Sequence, residues 1–250
     1  MATQPFSDEL VDRLAHARHI AVLTGAGISA ESGIPTFRDP GGLWQQFKPE
    51  ELANVNAFVR NPQLVQAWYL HRRKLALETM PNPGHQALVA LEERVPDFLL
   101  ITQNVDNLHQ RAGSKKIAEL HGNITRSYCI DCGREANDAA MEPAASGSIA
   151  LCSACGGYIR PDVVWFGEML PQDAIREAND AARRAEVFLS IGTSAVVYPA
   201  AGLPLTARQG GAYVAEINVE ASAIARYIDE VVLGKAGIVL PALLDAIQKR

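Results

Sequence analysis

The strands of this chain are predicted by short runs of consecutive apolar residues, not by alternation of apolar and polar positions. Strands that are covered on both faces are apolar throughout, as in parallel sheets packed between helices. Such runs occur at 19–24 (HIAVLT), 97–102 (DFLLIT) and 185–191 (AEVFLSI), and shorter strands are predicted at 212–217 and 230–233. Together they predict the buried strands of one parallel sheet.

Helices are predicted between these strands. The first covers 7–17, where Ser7 is placed to act as the N-cap. The others are predicted at 56–80, with an interruption near Pro62, and at 84–94, 172–184 and 240–249. Strands that alternate with helices predict an α/β fold with a doubly wound, Rossmann-like parallel sheet.

Composition and charge exclude several classes of protein. The chain has 250 residues, of which 48% are hydrophobic and 20% charged, so it is not a disordered or low-complexity chain. Its formal net charge of −5 provides no general attraction to nucleic acid or to anionic membranes. No apolar run approaches the roughly 18–20 residues that span a bilayer, and residues 1–14 lack the features of a signal peptide. We therefore expect a cytoplasmic protein with no nucleic-acid partner and no membrane partner.

All four cysteines stand in two C-x2-C pairs separated by 19 residues. They are Cys129, Cys132, Cys152 and Cys155. In a cytosolic chain this spacing is typical of a zinc site and not of disulfides. Four thiolates leave no position open for water or substrate, so the zinc is expected to be structural. The negative charge of such a site requires nearby N–H donors or cations. Sequence proximity suggests Arg126, Arg134 and Arg160.

The segment that carries the cysteines interrupts the alternation of strands and helices. We expect a single unit over 1–250, with a small zinc-ribbon module inserted into the sheet domain. The expected parts are a Rossmann-like domain at 1–34, 84–122 and 161–250, a small helical part at 35–83 and the zinc module at 123–160.

A glycine-rich turn follows the first predicted strand. The order strand, G-x-G-x-x-A, helix is that of a dinucleotide-binding fingerprint. Gly25 permits the tight turn, Gly27 lets backbone N–H groups approach a pyrophosphate, and Ala30 permits close packing of the helix. The alternative is that the glycines only form a turn. The acidic residue that dehydrogenases carry some 20 residues further on is not evident, which argues against an ordinary dehydrogenase.

Seven segments of the chain occur in the order found in sirtuins. They are GAGISAESGIPTFRD (25–39), TQNVDNLHQRAG (102–113), ELHGN (119–123), the paired C-x2-C units, VVWFGE (163–168), GTSAVVYPA (192–200) and INVE (217–220). The chain therefore resembles bacterial NAD-dependent protein lysine deacylases over nearly its whole length. The resemblance implies that NAD is a co-substrate and that one structural Zn²⁺ is present. It also implies that removal of an acyl group from a protein lysine releases nicotinamide and O-acyl-ADP-ribose.

The resemblance further implies roles for individual residues. His121 would be the general base, because histidine can take a proton from a ribose hydroxyl near neutral pH. Asn104 would orient the ribose or a water, and Asp106 would bind the nicotinamide carboxamide; helix capping is the alternative for both. The positions matched to cofactor binding are Gly25, Ala26, Gly27, Ile28, Ser29, Glu31, Thr36, Phe37, Arg38, Trp44, Gln103, Asn104, Val105, Asp106, Gly192, Thr193, Ser194, Asn218, Val219, Glu220 and Ala236.

Two segments resemble the edges between which sirtuins clamp an extended substrate peptide. Backbone pairing of this kind provides affinity with little reading of sequence, and the implied partners are acylated lysine side chains of other proteins. An ordinary pair of edge segments is the alternative. The matched residues are Val164, Phe166, Gly167, Glu168, Val196 and Val197.

Tyr69 and Arg72 bear on the identity of the acyl group. They stand three residues apart on a predicted helix and therefore share a face. A guanidinium next to a phenol suits a carboxylate, because arginine presents two donors at once. Sirtuins that remove succinyl or malonyl groups have this Tyr-x-x-Arg pair, so the resemblance implies removal of succinyl, malonyl and acetyl groups. The alternative is an amphipathic surface stretch with solvated arginines.

Two other functions stay open at this stage. The same activated sugar would serve a protein mono-ADP-ribosyltransferase, in which the target protein gains ADP-ribose. A non-enzymatic NAD-sensing module with a zinc ribbon would bind the nucleotide without turnover. Product mass separates the two enzymes, and loss of activity on substitution of His121 separates an enzyme from a sensor.

Overall fold

Two sheets organise the part of the chain that the computed structural model describes, which is residues 4–35 and 52–250. The strands are β1 (His19–Thr24), β2 (Asp97–Thr102), β3 (Ile117–Glu119), β4 (Gly122–Cys129), β5 (Glu135–Ala136), β6 (Ile159–Val163), β7 (Val187–Ile191), β8 (Tyr213–Asn218) and β9 (Glu230–Leu233). The larger sheet has six strands in the order β3-β2-β1-β7-β8-β9, all parallel. The predicted Rossmann-like α/β fold is therefore confirmed.

The order of the strands reverses next to β1, which has β2 on one side and β7 on the other. Thr24, the last residue of β1, pairs with Thr102 of β2 and with Ile191 of β7. In sheets of this type, ligands bind in the crevice beyond the carboxyl ends of the strands at such a reversal. The turn after β1 and the residues that follow β2 and β7 therefore meet at one edge of the sheet.

Helices cover both faces of the larger sheet. Leu10, Leu88 and Leu243 belong to the apolar core on one face, whereas Ala178 and Ala207 belong to the core on the other. The small alanine side chains let two helices lie close to the sheet. The helices are α1 (Asp8–His16), α2 (Gly27–Ala30), α3 (Val55–Arg60), α4 (Pro62–Glu78), α5 (Pro83–Arg94), α6 (Leu108–Ala112), α7 (Asp138–Ala145), α8 (Gln172–Arg184), α9 (Leu203–Gln209) and α10 (Ala236–Gln248). Among these described helices, none is both long and apolar enough to cross a membrane.

The ends of the first and last helices differ in how well the sequence predicts them. Ser7 caps α1 as predicted, since its hydroxyl accepts an amide hydrogen of the first turn at 3.1 Å. The predicted start of the last helix is wrong, because α10 begins at Ala236 and not at residue 240. Gly237 lies before the predicted start, and glycine disfavours helix. In the fold, the Glu31 carboxylate accepts the Gly237 amide hydrogen at 2.6 Å and supports the first turn.

The smaller sheet is an antiparallel insertion between β3 and β7. Its strands β5, β4 and β6 lie within residues 122–163, and α7 lies between β5 and β6. Helices α3 and α4 pack against this sheet through an apolar cluster that includes Phe58, Tyr69, Ile124 and Trp165. The cluster joins the helical segment to the chain that leaves β6. The limits of the three parts expected from the sequence stay a prediction.

Candidate active site

The glycine turn after β1 packs directly against the backbone at the end of β7. Gly25 and Gly27 donate their amide hydrogens to the carbonyl oxygens of Ile191 and Gly192, at 3.0 and 2.8 Å. A Cβ atom on Gly27 would lie 2.7 Å from the Gly192 Cα. The sequence interpretation of Gly27 therefore needs correction, because its amide is bonded within the protein and its missing side chain lets two strand ends meet. The Ala26 amide, in contrast, has no hydrogen-bond partner among the described residues.

Polar side chains from the loop after β2 and from α2 form a hydrogen-bonded network in the crevice. The Ser29 hydroxyl donates to Asp106 Oδ2 at 2.7 Å and accepts from Asn104 Nδ2 at 3.2 Å. Asp106 Oδ1 also accepts the Leu108 amide hydrogen at 2.9 Å, which ties Asp106 to the first residue of α6. Burial raises the pKa of Asp106, although these hydrogen bonds and the nearby Arg72 charge act in the opposite direction. Three residues matched to cofactor binding are thus in direct contact.

His121 lies between β3 and β4, and a main-chain carbonyl holds its ring. Its Nδ1 is 2.9 Å from the Gln103 carbonyl oxygen. Because a carbonyl oxygen only accepts, Nδ1 carries the proton and Nε2 is the basic nitrogen. Burial lowers the pKa of His121 below its ordinary value, more than the bond to Gln103 raises it. Gln103 in turn donates to Thr193 Oγ1 at 3.0 Å, so this histidine is tied to the ends of β2 and β7.

Two histidines without a predicted role lie buried behind the crevice. The rings of His85 and His109 are 4.8 Å apart between centroids and are 0% and 1% exposed. His85 Nδ1 accepts the Asn82 amide hydrogen at 3.3 Å, so its proton is on Nε2, 3.5 Å from the Ser29 hydroxyl. Burial lowers the pKa of His85 to about 4 and that of His109 well below its usual value. Both rings are therefore neutral, and the N-x-x-H spacing at a helix start is the signal that could have identified His85.

At the end of β8, Asn218 is held at both ends of its side-chain amide. Its Nδ2 donates to the Thr193 carbonyl at 3.0 Å, and its Oδ1 accepts the Val219 amide hydrogen at 2.9 Å. The fully buried Glu216 carboxylate accepts the amide and hydroxyl hydrogens of Ser222 at 2.8 and 2.6 Å. These bonds fix the loop after β8. Sequence reasoning missed Glu216, for which a single acidic residue inside an apolar strand was the available signal.

The other positions matched to cofactor binding differ in burial and in their place relative to the crevice. Ile28 is fully buried in the core, so its side chain does not face a ligand. Glu31 is bonded to Gly237, which places it beside Ala236. Four matched positions follow directly on β2, β7 and β8, namely Val105, Ser194, Val219 and Glu220. Four more lie outside the described residues, namely Thr36, Phe37, Arg38 and Trp44.

Tyr69 and Arg72 share one face of α4, where the Arg72 guanidinium lies over aromatic rings. Its central carbon is 4.7 Å from the Trp68 ring centroid and 5.7 Å from that of Tyr69. The Tyr69 hydroxyl accepts a hydrogen bond from Trp165 Nε1 at 2.9 Å. Burial lowers the pKa of Arg72, and the nearby Tyr69 and Asp106 raise it. Tyr69 is 3% exposed and Arg72 is half-buried, so the pair is not a fully solvated surface stretch.

The segments matched to a peptide clamp expose large apolar side chains. Phe166 is 54% exposed, Val196 57% and Val197 42%. Exposed apolar side chains that lie together are typical of interaction sites, whereas isolated ones are ordinary. Both segments are open to a partner.

The turn that follows β6 is fixed by hydrogen bonds. Val164 donates its amide hydrogen to the His121 carbonyl at 3.0 Å, which joins this turn to the histidine. Gly167 has a φ of +89°, a conformation that favours glycine. The Glu168 carboxylate accepts from the buried Arg160 at 2.9 Å. Its carboxylate is therefore bonded within the protein, and its match as a substrate contact stays a prediction.

The four cysteine side chains form one cluster. All four Sγ atoms lie within 4.8 Å of one another. Cys129 and Cys155 are 3.5 Å apart and Cys132 and Cys152 are 3.8 Å apart, measured between sulfurs. A tetrahedral zinc ion with Zn–S bonds of about 2.3 Å sets its sulfurs about 3.8 Å apart. The donor set therefore fits a closed zinc site.

Backbone amides are directed at this cluster, whereas two of the three arginines suggested by sequence proximity are bonded elsewhere. The amides of Ala154 and Cys155 bond the Cys152 sulfur and lower the pKa of its thiol to about 7. Arg126 and Arg160 pair with carboxylates outside the cluster. The prediction that these two arginines compensate the thiolate charge is therefore wrong.

Comparison with known families decides the relationship of this chain to other proteins. The model of the Sir2 family matches residues 25–199, from the glycine turn through the cysteine cluster to the second clamp segment. The chain belongs to the Sir2 family. The resemblance to sirtuins predicted from the seven sequence segments is thereby confirmed.

Proteins similar to this Sir2 family chain match it over nearly its full length. "NAD-dependent protein deacylase 2" of Pyrobaculum aerophilum is 51% identical over 241 residues, 96% of each chain. A crystal structure of a Sir2 homolog–NAD complex has a TM-score of 0.90 at 40% identity and covers 100% of this chain and 96% of that one. A Sir2–p53 peptide–NAD⁺ complex has a TM-score of 0.86 at 35% identity, covering 97% and 99%.

Proposed function

We propose that this Sir2 family protein is an NAD-dependent enzyme that removes acyl groups from lysine side chains of other proteins. The products are the free lysine, nicotinamide and O-acyl-ADP-ribose. Support comes from a relative named as an NAD-dependent protein deacylase and from similar structures that hold NAD and a peptide. The observation that carries the proposal is the neutral His121 ring, with its proton on Nδ1, at the sheet edge where Asn104 and Asp106 also lie.

His121 is suited to act as the general base. Bound NAD supplies a sugar carbon that is activated by its nicotinamide leaving group. Nε2 of His121 has no proton and accepts that of a ribose hydroxyl, while the bond from Nδ1 to Gln103 stabilises the positive ring that results. The lowered pKa of His121 keeps this nitrogen unprotonated at neutral pH.

The surrounding residues bind and orient the two substrates. Asp106 and Asn104 bind the nicotinamide and ribose ends of NAD, held in place by Ser29. Asn218 lies at the adenosine side, held by the Thr193 carbonyl. The substrate peptide pairs as an extended strand between the two exposed clamp segments. The four-cysteine zinc site is closed and has a structural function.

We further propose that Arg72 and Tyr69 bind acyl groups that end in a carboxylate, so that succinyl and malonyl groups are removed in addition to acetyl. The support is the half-buried guanidinium held over two aromatic rings, next to a buried phenol. A charged hydrogen bond of this kind contributes about 1.5–3 kcal/mol. Its loss is expected to lower kcat/KM for a succinyl substrate about 10- to 150-fold.

The test is a mass-spectrometric turnover assay on matched succinyl-lysine and acetyl-lysine peptides, with and without NAD. Arg72→Met is expected to lose desuccinylation and keep deacetylation. Arg73→Met is the matched control, because Arg73 stands next in the sequence and pairs with Asp138. Equal losses on both peptides in Arg72→Met would make Arg72 structural and would remove the carboxylate proposal.

His121→Ala tests the deacylase proposal itself. Turnover of both peptides is expected to fall by two to four orders of magnitude, as is typical when a general base is removed. Unchanged turnover in this variant would exclude His121 as the base. A substrate protein that gains the mass of ADP-ribose, without free acylated ADP-ribose, would indicate transfer to protein instead.

A further inference from the structure

One hydrogen bond determines where the Tyr69 hydroxyl proton points. Trp165 Nε1 lies 2.9 Å from the Tyr69 hydroxyl oxygen. An indole N–H can only donate, so the hydroxyl must act as the acceptor in this bond. Among the described residues the hydroxyl has no second hydrogen-bond partner. Its own proton is therefore turned away from Trp165 and is available to another acceptor.

The surroundings of Tyr69 keep that proton on the oxygen. Burial raises the pKa of Tyr69 to about 12, although the Arg72 charge and the bond from Trp165 act to lower it. The Arg72 guanidinium carbon lies 5.7 Å from the Tyr69 ring centroid, on the same face of α4. A phenol O–H and a guanidinium are both donors, and one carboxylate can accept from both. A neutral acyl group such as acetyl offers no oxygen beyond its amide for this pair.

Trp165 is held so that its N–H keeps this direction. The guanidinium carbon of Arg160 lies 3.5 Å from the Trp165 ring centroid, and Arg160 is 3% exposed. Glu168 Oε2 accepts from Arg160 at 2.9 Å and from the Trp165 amide at 2.7 Å. The Phe58 ring packs against Trp165 at 5.1 Å between centroids. The indole thus has little freedom to turn its N–H away from Tyr69.

We infer that Trp165 is a positioning residue that favours acyl groups ending in a carboxylate. By donating to the Tyr69 hydroxyl, its indole N–H directs the hydroxyl proton toward a carboxylate bound by Arg72. The inference rests on the proposed function, since it assumes that Arg72 and Tyr69 bind the acyl carboxylate. Trp165 makes this contribution through Tyr69 and touches no reacting atom.

The first test is Trp165→Phe in the full, zinc-loaded chain, which removes the N–H and keeps an aromatic ring. Steady-state kinetics are measured at saturating NAD on matched succinyl-lysine and acetyl-lysine peptides. KM for the succinyl peptide is expected to rise about 3- to 10-fold with kcat unchanged, the effect of one neutral hydrogen bond. The acetyl peptide is expected to change by less than about two-fold in either constant.

The second test asks whether Trp165 acts through the Tyr69 hydroxyl. In a Tyr69→Phe background the hydroxyl is absent, so adding Trp165→Phe is expected to cause no further loss of desuccinylation. If Trp165 is only structural, Trp165→Phe would lower kcat/KM for the succinyl peptide further in the Tyr69→Phe background and would lower deacetylation by the same factor. A further loss of desuccinylation, or an equal loss of deacetylation, would overturn the inference.

A smaller ring at position 165 leaves space in the core, so an isosteric change serves as the second variant. Trp165→3-benzothienylalanine replaces the N–H by sulfur with the ring shape kept, and the same succinyl-specific rise in KM is expected. Unchanged kinetics on both peptides would refute the inference even if Trp165→Phe does not fold. If Arg72→Met loses selectivity for the succinyl peptide and neither Trp165 variant does, the inference on Trp165 is refuted and the proposed acyl specificity stands. If Arg72→Met affects both peptides equally, the proposed acyl specificity itself is refuted.

Discussion

Gly27→Ala tests whether the glycine turn is needed for the contact between strand ends. An added Cβ would lie 2.7 Å from the Gly192 Cα and 2.8 Å from its carbonyl oxygen. Carbon atoms in normal contact are about 3.5–4.0 Å apart, so the overlap is about 1 Å. Both partners are backbone, joined by the hydrogen bond from the Gly27 amide to the Gly192 carbonyl, and neither can turn away as a side chain would.

Overpacking of this kind costs about 1–3 kcal/mol of the free energy of unfolding. For a chain of this size, that corresponds to a loss of about 2–12 °C in Tm. The overlap also separates the strand ends at the crevice, so KM for NAD is expected to rise more than KM for the acylated peptide. Thermal unfolding and steady-state kinetics with NAD and peptide varied separately measure both effects.

Gly202→Ala is the matched control for this substitution. Gly202 has a right-handed helical backbone, and the nearest atom to its added Cβ is Tyr198 Cε1 at 3.9 Å. Replacing glycine there is expected to change stability by about 0.4–1 kcal/mol in the stabilising direction. If Gly27→Ala melts like Gly202→Ala and keeps its KM for NAD, the contact does not require glycine and the reasoning is refuted.

Three further predictions concern the zinc site and the histidines. Removal of zinc by a chelator is expected to lower Tm and activity together, because the cysteine cluster joins the end of β4 to the segment before β6. Full activity and an unchanged Tm in metal-free protein, verified by metal analysis, would contradict this. Burial lowers the pKa of His121 below 6.5, so the apparent pKa that limits kcat/KM on the acid side is expected to lie below 6.5. An apparent pKa above that value would count against a buried neutral base. In the folded protein, the pKa values of His85 and His109 lie below their unfolded value of 6.5, at about 4 for His85. Between these pH values the unfolded chain binds more protons than the folded protein, so the free energy of unfolding is expected to fall as pH drops from 6.5 toward 4. Urea unfolding at several pH values measures that slope, and His85→Gln is expected to reduce it.

Much of the fold could be predicted because its evidence is local. The runs at 19–24 and 97–102 are apolar throughout, since both faces of each strand are buried, and the structure has strands at those bounds. The two C-x2-C pairs predict their cluster because each pair needs only one tight turn to bring its sulfurs together. The start of α10 could not be predicted, because it depends on Glu31, 206 residues away from Gly237.

Of the candidate site, too, the sequence predicts the local features and not the long-range contacts. The sequence predicts that polar residues follow the strands at Asn104, Asp106 and His121. The partners that set their charge and direction come from other elements, such as Ser29 for Asp106, 77 residues away. The N-x-x-H spacing at the start of α5 marks His85 as a capping residue, but the burial that keeps His85 and His109 neutral is a property of the packed chain.

The sequence by itself determined the apolar strands of the larger sheet, the family resemblance and the chemical types available at the site, because each is encoded in runs or spacings of neighbouring residues. Only the tertiary structure decided which of those groups are already bonded within the protein. The Glu168 carboxylate is bonded to Arg160. Trp165 orients the hydroxyl of Tyr69 across 96 residues of sequence. Hydrogen bonds and close contacts of this range form only once the chain has folded, since distant segments have no fixed separation before then.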